Sequence, residues 1–382
     1  MGVGVLLWAV VAGLEWAGFP APPSVQVWSS LLIGLIILQA ACDALVTATE
    51  RVAARARWDH YVAGTIAEIL STLPELVVIA FVIPVSPVAA TVLALVTVYN
   101  NALVFSLYSY FLPKDQKGLF VMPAAITEAG TQILAAGATL GAVLGVGMLV
   151  LSSATEQKQH FTAVDLLVLA ALMWIIFGVY VNKLVRAYAS EETQIREVLH
   201  LDAEEIEERK ELLYADVKRV SWRNIAGVFT IGVAGAFMGG ERVSRFAHTA
   251  LEDLSLNPIA AAVILAGFAG MSEYVIIWRA HRRGSHGIAL ANAFGGMTQV
   301  MFLVLPFTLF AVGIHQGFLN PAHHELPLQF DVSFILLFVF LFPTFFVLLE
   351  LIEDDHTFGI LDTVIMASMC LLILLILLAY GG

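Results

Sequence analysis

Charge is scarce in this chain. Of its 382 residues only 13% are Asp, Glu, Lys or Arg, against 59% hydrophobic, and the mean hydropathy is +0.87. Such a chain cannot keep its apolar surface from water as a globule, which excludes a soluble domain and points to a polytopic membrane protein. Cysteine is nearly absent. Cys42 and Cys370 both fall inside apolar stretches, so no disulfide framework is indicated. Signatures of hydrolytic and nucleotide chemistry are missing too. There is no His-Glu-x-x-His helix, no Gly-x-Ser-x-Gly elbow, no Walker loop and no EF-hand spacing, and nothing calls for a nucleic-acid partner.

What the chain has in abundance is apolar length. Runs long enough to cross about 30 Å of hydrocarbon as helices stand near 3–19, 27–49, 60–83, 87–112, 119–151, 163–187, 224–247, 257–280, 285–313, 330–352 and 359–380. They are too long and too uniformly apolar for barrel strands. The sequence therefore predicts an all-α polytopic membrane protein of about eleven transmembrane helices. With the segment 188–222 in the cytoplasm, all but three of the 19 Lys and Arg residues lie on the inside, leaving only Lys158, Arg242 and Arg245 outside. The N-terminus is then cytoplasmic, in a plasma (inner) membrane. Ala17 to Ala21 after the first run raise the alternative of a cleaved signal peptide over residues 1–20, but the lack of a basic leader and the presence of Glu15 favour retention.

The chain also repeats itself. Shifting it by 198 residues lays Glu75, in STLPELVVIAF, over Glu273, in AGMSEYVIIW, and brings Asp43 to Glu241, Val77 to Val275, Ile79 to Ile277 and Asn101 to Gln299. Each unit holds five helices. An odd number of crossings makes the second copy enter the membrane upside down, giving two inverted five-helix repeats plus one N-terminal helix. The divisions are 1–22 for that helix, 23–188 and 223–382 for the repeats, and 189–222 for an acidic cytoplasmic connector holding ten carboxylates from Glu191 to Asp216.

A carboxylate inside a membrane helix is expensive, and a duplicated one marks a site shared by the two halves. Pro74 removes a helical hydrogen bond beside Glu75, while Gly267 and Gly270 loosen the turn before Glu273. Freed carbonyls in hydrocarbon must be buried or must coordinate something. A hard divalent cation such as Ca²⁺ takes six to eight oxygens. Ser71, Thr72, Thr97, Asn100 and Asn101 offer them from the first half, and Ser272, Thr298 and Gln299 from the second.

These residues resemble the two alpha-repeats of the cation/Ca²⁺ exchanger superfamily. Ser71-Thr72-Leu73-Pro74-Glu75-Leu76 is similar to its Gly-Thr-Ser-Leu-Pro-Glu-Leu signature. Gly270-Met271-Ser272-Glu273-Tyr274, Gly295-Gly296-Met297-Thr298-Gln299-Val300 and Leu303-Val304-Leu305-Pro306-Phe307 look like the Ca²⁺/H⁺ exchanger branch, which has Gly-Asn-Ala-x-Glu-His, Gly-Ser-x-x-Gln-Ile and a Val-Ile-Pro-Phe-like ending. The resemblance implies Glu75 and Glu273 as Ca²⁺ ligands, with Asn101 and Gln299 lining the same cavity. The chain departs from the sodium-coupled branch at Ala269, Gly270 and Gly296, where hydroxyls are usual, and from the proton branch at Met271.

The expected activity is alternating-access exchange of Ca²⁺ for H⁺, because desolvation favours the neutral form of a buried carboxyl and a bound cation displaces its proton. Na⁺/Ca²⁺ exchange on the same fold is the alternative; an intramembrane enzyme or a cation channel is more remote. No enzymatic activity and no cofactor are expected beyond transported Ca²⁺ at the midplane, and the lipid bilayer is the other partner. Glu68, seven residues before Glu75, and Glu128 with Thr131 and Gln132 are candidates for a proton path, against a plain packing role. Asp43 and Glu241 lie toward helix ends and suit structure or access. The connector carries an apolar stripe at Ile195, Leu199, Ile206 and Leu213 and reads as a solvated linker before a Ca²⁺ sensor. His315, His323, His324 and Glu325 form an external group without metal-ligand spacing.

Overall fold

The computed structural model describes residues 2–16, 22–56, 69, 72–122, 126–154, 160–199, 221–254, 256, 258–282, 286–319, 328–330, 332–354 and 356–380. In chain order the helices are α1 (Gly2–Trp16), α2 (Pro23–Ala56), α3 (Leu73–Val82), α4 (Pro87–Ser109), α5 (Thr131–Ala154), α6 (Ala163–Leu199), α7 (Trp222–His248), α8 (Pro258–Ala269), α9 (Met271–Arg282), α10 (His286–Gln299), α11 (Leu305–Ile314), α12 (Val332–Val339), α13 (Leu341–Glu353) and α14 (Ile360–Tyr380). Two short strands, β1 (Phe120–Val121) and β2 (Thr357–Phe358), accompany them. Single wide turns precede α5 and join α10 to α11.

Seven stretches among the described residues are long and apolar enough to span a bilayer. Four shorter or more polar rods join them: α1, α3, α7 with its Glu241, Arg242 and Arg245, and the broken pair α8 and α9. Together these make the eleven expected rods, one followed by five and five. The outer helices show apolar side chains to their surroundings: Val143, Val146 and Val150 on α5, Val168, Leu172 and Ile175 on α6, and Leu371, Leu372 and Leu375 on α14 are all exposed. That surface is stable only against lipid. α4 is the reverse, buried along nearly its whole length, because it stands at the centre against α8, α10 and α14.

The contacts between the halves show that the repeat is inverted. α2 packs on α7 through its small residues, as close helix approach in lipid requires. A Cβ built on Gly34 would lie 3.0 Å from the Gly239 carbonyl oxygen, and one on Gly232 would lie 3.1 Å from that of Ala41. Moving each partner by 198 residues turns the first contact into the second. That exchange holds only if the two helices cross antiparallel around a two-fold axis.

The loops agree. β1, in the segment joining the third and fourth helices of the first unit, pairs antiparallel with β2, between the fourth and fifth of the second, in the register Phe120↔Phe358 and Val121↔Thr357. At the other end His160, between the fourth and fifth helices of the first unit, bridges Gln329, between the third and fourth of the second. In repeats of the same orientation, like loops would meet like loops. Here each meets its opposite. The connector was placed at 189–222; α6 runs to Leu199, and residues 200–220 lie outside the described residues.

One basic residue is buried. Arg242, counted among the three basic residues on the outside, is 1% exposed. Its guanidinium lies 5.7 Å from the centre of the Trp8 ring of α1, so the N-terminal helix is packed over a buried cation.

The α2–α7 seam yields a stability test. Gly239→Ala places a methyl 2.6 Å from Leu38 Cγ and 2.8 Å from the Gly34 carbonyl oxygen, an overpacking worth about 1–3 kcal/mol. Gly227, on the same helix, has nothing within 4 Å of its built Cβ. Thermal unfolding in detergent is expected to show a lower midpoint for Gly239→Ala and an unchanged or slightly raised one for Gly227→Ala.

Candidate ion-binding site

Both repeated glutamates stand in the first turn of a helix that begins inside the fold. α3 starts at Leu73 with Pro74 in its first turn, where the missing N–H has no helical partner to lose. Thr72 does not cap it with its side chain. Its hydroxyl instead donates to the Ile69 carbonyl at 2.7 Å. On the other side the chain bends at Gly270 between α8 and α9, and the Tyr274 N–H donates back to the Gly270 carbonyl at 3.1 Å. Glu75 and Glu273 thus sit at the positive ends of two half-helices, which stabilise negative charge there.

The two side chains are 2% and 5% exposed, and each lies within the electric field of the other. Neither oxygen of Glu75 has a hydrogen-bond partner among the described residues. Glu273 accepts a hydrogen bond from Asn101 Nδ2 of α4 at 3.1 Å through Oε2. That oxygen also presses on α10, where a Cβ at Gly296 would lie 2.4 Å from it and 3.2 Å from Asn101 Nδ2. Gly296 is glycine here because the carboxylate occupies the place of its side chain.

The first half's counterpart of the Asn101–Glu273 bond would be Gln299 with Glu75. It is not formed: neither Glu75 oxygen has a partner among the described residues, and Gln299, 5% exposed, has its Oε1 unpartnered there too. Asn101 Oδ1 is unpartnered as well. Four buried oxygens, two from Glu75 and one each from Asn101 and Gln299, therefore stand without donors among the described residues. A buried acceptor without a donor is costly unless a cation or a proton supplies the missing charge.

Around this group Thr72, Thr97 and Thr298 are all buried. Thr97 donates to the Leu93 carbonyl at 2.7 Å and Thr298 to that of Gly295 at 3.1 Å, so their hydroxyl lone pairs stay available. Tyr274 accepts a hydrogen bond from Asn100 Nδ2 across α4 and α9 and lies in the field of both glutamates. This clasp was not foreseen. Its only sequence signal is the placement of an aromatic hydroxyl directly after Glu273.

No group of three or more His, Cys, Asp or Glu side chains suited to a metal occurs among the described residues. The site therefore offers two carboxylates supplemented by amide, hydroxyl and carbonyl oxygens. That is a donor set for a hard cation, with no sulfur or imidazole to favour a softer one.

Other expected residues fall elsewhere. Glu68 and Ser71 lie outside the described residues, as do His323, His324 and Glu325. Ser272 belongs to α9, beside Glu273. Glu128 is not brought to the buried group. It is exposed on the wide turn before α5, because its neighbours Ala129 and Gly130 take the buried face, Gly130 lying against Phe294. Asp43 is exposed on α2, and Glu241 is paired with Arg245 one turn on at 2.8 Å, so neither joins the site.

Residues 224–380 match the family described as sodium/calcium exchanger protein. No curated protein matches the chain by sequence. Among solved structures the chain is similar to the H⁺/Ca²⁺ exchanger CAX, with a TM-score of 0.67, 13% identity, and coverage of 99% of this chain and 91% of that one. It is similar to YfkE with a TM-score of 0.56, 14% identity and coverage of 98% and 99%. For the sodium-calcium exchanger NCX_Mj the TM-score is 0.50, the identity 15% and the coverage 91% and 97%.

The fit of Glu273 against Gly296 can be tested by binding. Gly296→Ala drives a methyl into the carboxylate and is expected to weaken divalent-cation binding to the purified protein by at least about tenfold. Gly267→Ala, whose Cβ meets nothing within 4 Å, is expected to bind as the unaltered chain does in the same equilibrium assay.

Proposed function

We propose that this chain belongs to the cation/Ca²⁺ exchanger superfamily, a reading supported by the match over residues 224–380 and by the fold, and that it is a secondary active antiporter exchanging Ca²⁺ for H⁺. The observation that carries the reading is the juxtaposition of Glu75 and Glu273 from oppositely oriented halves, both buried and each within the other's field. Two buried carboxylates within each other's field repel, and either Ca²⁺ or protons relieve the repulsion. Competition of the two for the same oxygens is exchange.

The direct ligands are Glu75, Glu273, Asn101 and Gln299, with Thr72, Ser71 and Ser272 as further oxygens. Asn101 steers Glu273 through its amide N–H and keeps its own carbonyl oxygen for the ion. The positive ends of α3 and α9 hold the carboxylates in place when the site is charged. Glu68 and Glu128 are assigned to proton access, Glu128 from its exposed position outside the cluster. Transport, and no chemical conversion, is the activity; the chain works as an integral membrane protein with its N-terminus and the connector in the cytoplasm, in the plasma (inner) membrane.

Exchange for Na⁺ is the second reading, favoured by the family match itself. Against it stands the glycine at 296. A serine or threonine there would set its side chain where the Glu273 carboxylate now lies, so this face of the pocket supplies carboxylate oxygen in place of the neutral hydroxyls a monovalent ion would use.

Reconstituted vesicles decide between them. Uptake of ⁴⁵Ca²⁺ is expected to follow an imposed pH gradient and to be indifferent to an imposed Na⁺ gradient. Glu75→Gln and Glu273→Gln are each expected to reduce it to the level of protein-free vesicles. Uptake driven by Na⁺ alone would replace the proton reading, and undiminished uptake in either variant would remove the assigned ligands.

A further inference from the structure

The three helices that build the carboxylate site carry a second cluster farther along. α4 gives Asn101 to Glu273 and, seven residues on, Tyr108; α9 gives Glu273 and, eight residues on, His281; α10 gives Gly296 and, ten residues earlier, His286. At 1.5 Å per residue these steps are about 10–15 Å, all toward the end that bears Lys114, Lys117 and Arg282. There the His281 and His286 rings meet, their centroids 4.9 Å apart and their planes at 66°. Tyr108 stands edge-on to His281 at 5.9 Å, and Phe111 closes the group at 6.3 Å.

Aromatic packing alone does not account for the cluster. His281 Nδ1, His286 Nδ1 and Tyr108 Oη are each buried without a hydrogen-bond partner among the described residues. A ligand that takes lone pairs from both imidazoles satisfies them together. Zn²⁺ binds imidazole nitrogen at about 2.0–2.1 Å, which puts each ring centroid about 3.2 Å from the ion and two rings at a tetrahedral angle about 5 Å apart. The observed spacing fits. The described residues hold no third His, Cys, Asp or Glu in a group suited to a metal, so the remaining positions fall to water and the Tyr108 hydroxyl. Such a site is open and exchangeable, unlike the closed four-ligand kind that holds a fold together.

We propose that His281 and His286 form a regulatory site for Zn²⁺ or a like borderline divalent ion, on the access path between the glutamates and the side assigned to the cytoplasm. An ion there ties α9 to α10 at their shared end. Its softer ligands separate it from the oxygen-lined site, which selects a hard cation. Binding stands by itself; only its effect on flux rests on the antiporter reading.

The test uses the full chain in detergent with ZnCl₂ as the probe, read against a competing zinc dye. The expected result is a saturable site that excess Ca²⁺ does not empty. His281→Gln and His286→Gln are each expected to weaken it by at least about tenfold, while Glu75→Gln and Glu273→Gln leave it unchanged. In vesicles Zn²⁺ on the connector side is expected to slow Ca²⁺ flux, and His281→Gln to abolish that inhibition. Should the histidine variants fail to elute as folded protein, modification of the unaltered chain by diethylpyrocarbonate gives the readout: Zn²⁺ is expected to protect His281 and His286 together. Binding unaffected by either histidine, loss of binding in Glu75→Gln, or no protection overturns the proposal. Histidine-dependent Zn²⁺ binding without any Ca²⁺ flux overturns the antiporter reading instead.

Discussion

Two carboxylates held out of water within each other's field are the constraint around which this fold is arranged. An ionised group at that depth is tolerated only where protein dipoles replace the lost hydration. The chain answers by starting two helices there. Pro74 and Gly270 interrupt the rods just before the acids, so that Glu75 and Glu273 stand in the first turn of a helix, where its dipole favours negative charge. α4 must then run through the centre, because only a helix buried on all sides can present Asn101 to Glu273 while shielding both acids from lipid. The outer rods, α5, α6 and α14, are left to face the hydrocarbon with Val and Leu.

The two-fold relation is close where packing is the only demand and broken at the candidate ion site. Gly34 on Gly239 and Gly232 on Ala41 are one contact written twice. At the site, by contrast, Asn101 bonds Glu273 while Gln299 leaves Glu75 alone, and Gly296 corresponds to Val98, Tyr274 to Leu76 and Gly270 to Thr72. A single conformation of an inverted repeat has to be asymmetric at its centre, since a site open equally to both sides would leak. The unequal side chains go further, giving the two glutamates different neighbours in whichever conformation the halves adopt.

Much of this was legible from residue order. The eleven rods follow from apolar length, and the inversion follows from five helices per unit together with one offset that aligns Glu75 with Glu273. The burial of both acids was readable because nothing else in those runs competes for water. Three features were not. Charge alone does not tell that Arg242 is buried; it lies on the face of α7 that carries Gly232, Gly235, Gly239 and Val243, and that glycine stripe was the signal of burial. Glu128, in an apolar run with Thr131 and Gln132, reads as a candidate for a proton path. The wide turn before α5 rotates it outward, and a single five-residue turn leaves no periodic trace. The pairings of β1 with β2 and of His160 with Gln329 join segments far apart in sequence through backbone atoms, which side-chain patterns do not record.

Glycine at position 296 bears on selectivity in a way that residue type alone does not reveal. As a letter it reads as a missing hydroxyl. In the structure it is where the Glu273 carboxylate touches α10, 2.4 Å from any Cβ placed there. The exchange of a side-chain hydroxyl for room is an exchange of a neutral ligand for a charged one that reaches over from another helix. A monovalent ion gains little from a second carboxylate, whereas a divalent ion needs both charges neutralised to leave water, and two protons do the same for the empty pair. Under the proposed exchange, the shape of one glycine contact favours charge balance on the glutamates themselves and ties the choice of ion to the same packing that lets α9 and α10 approach.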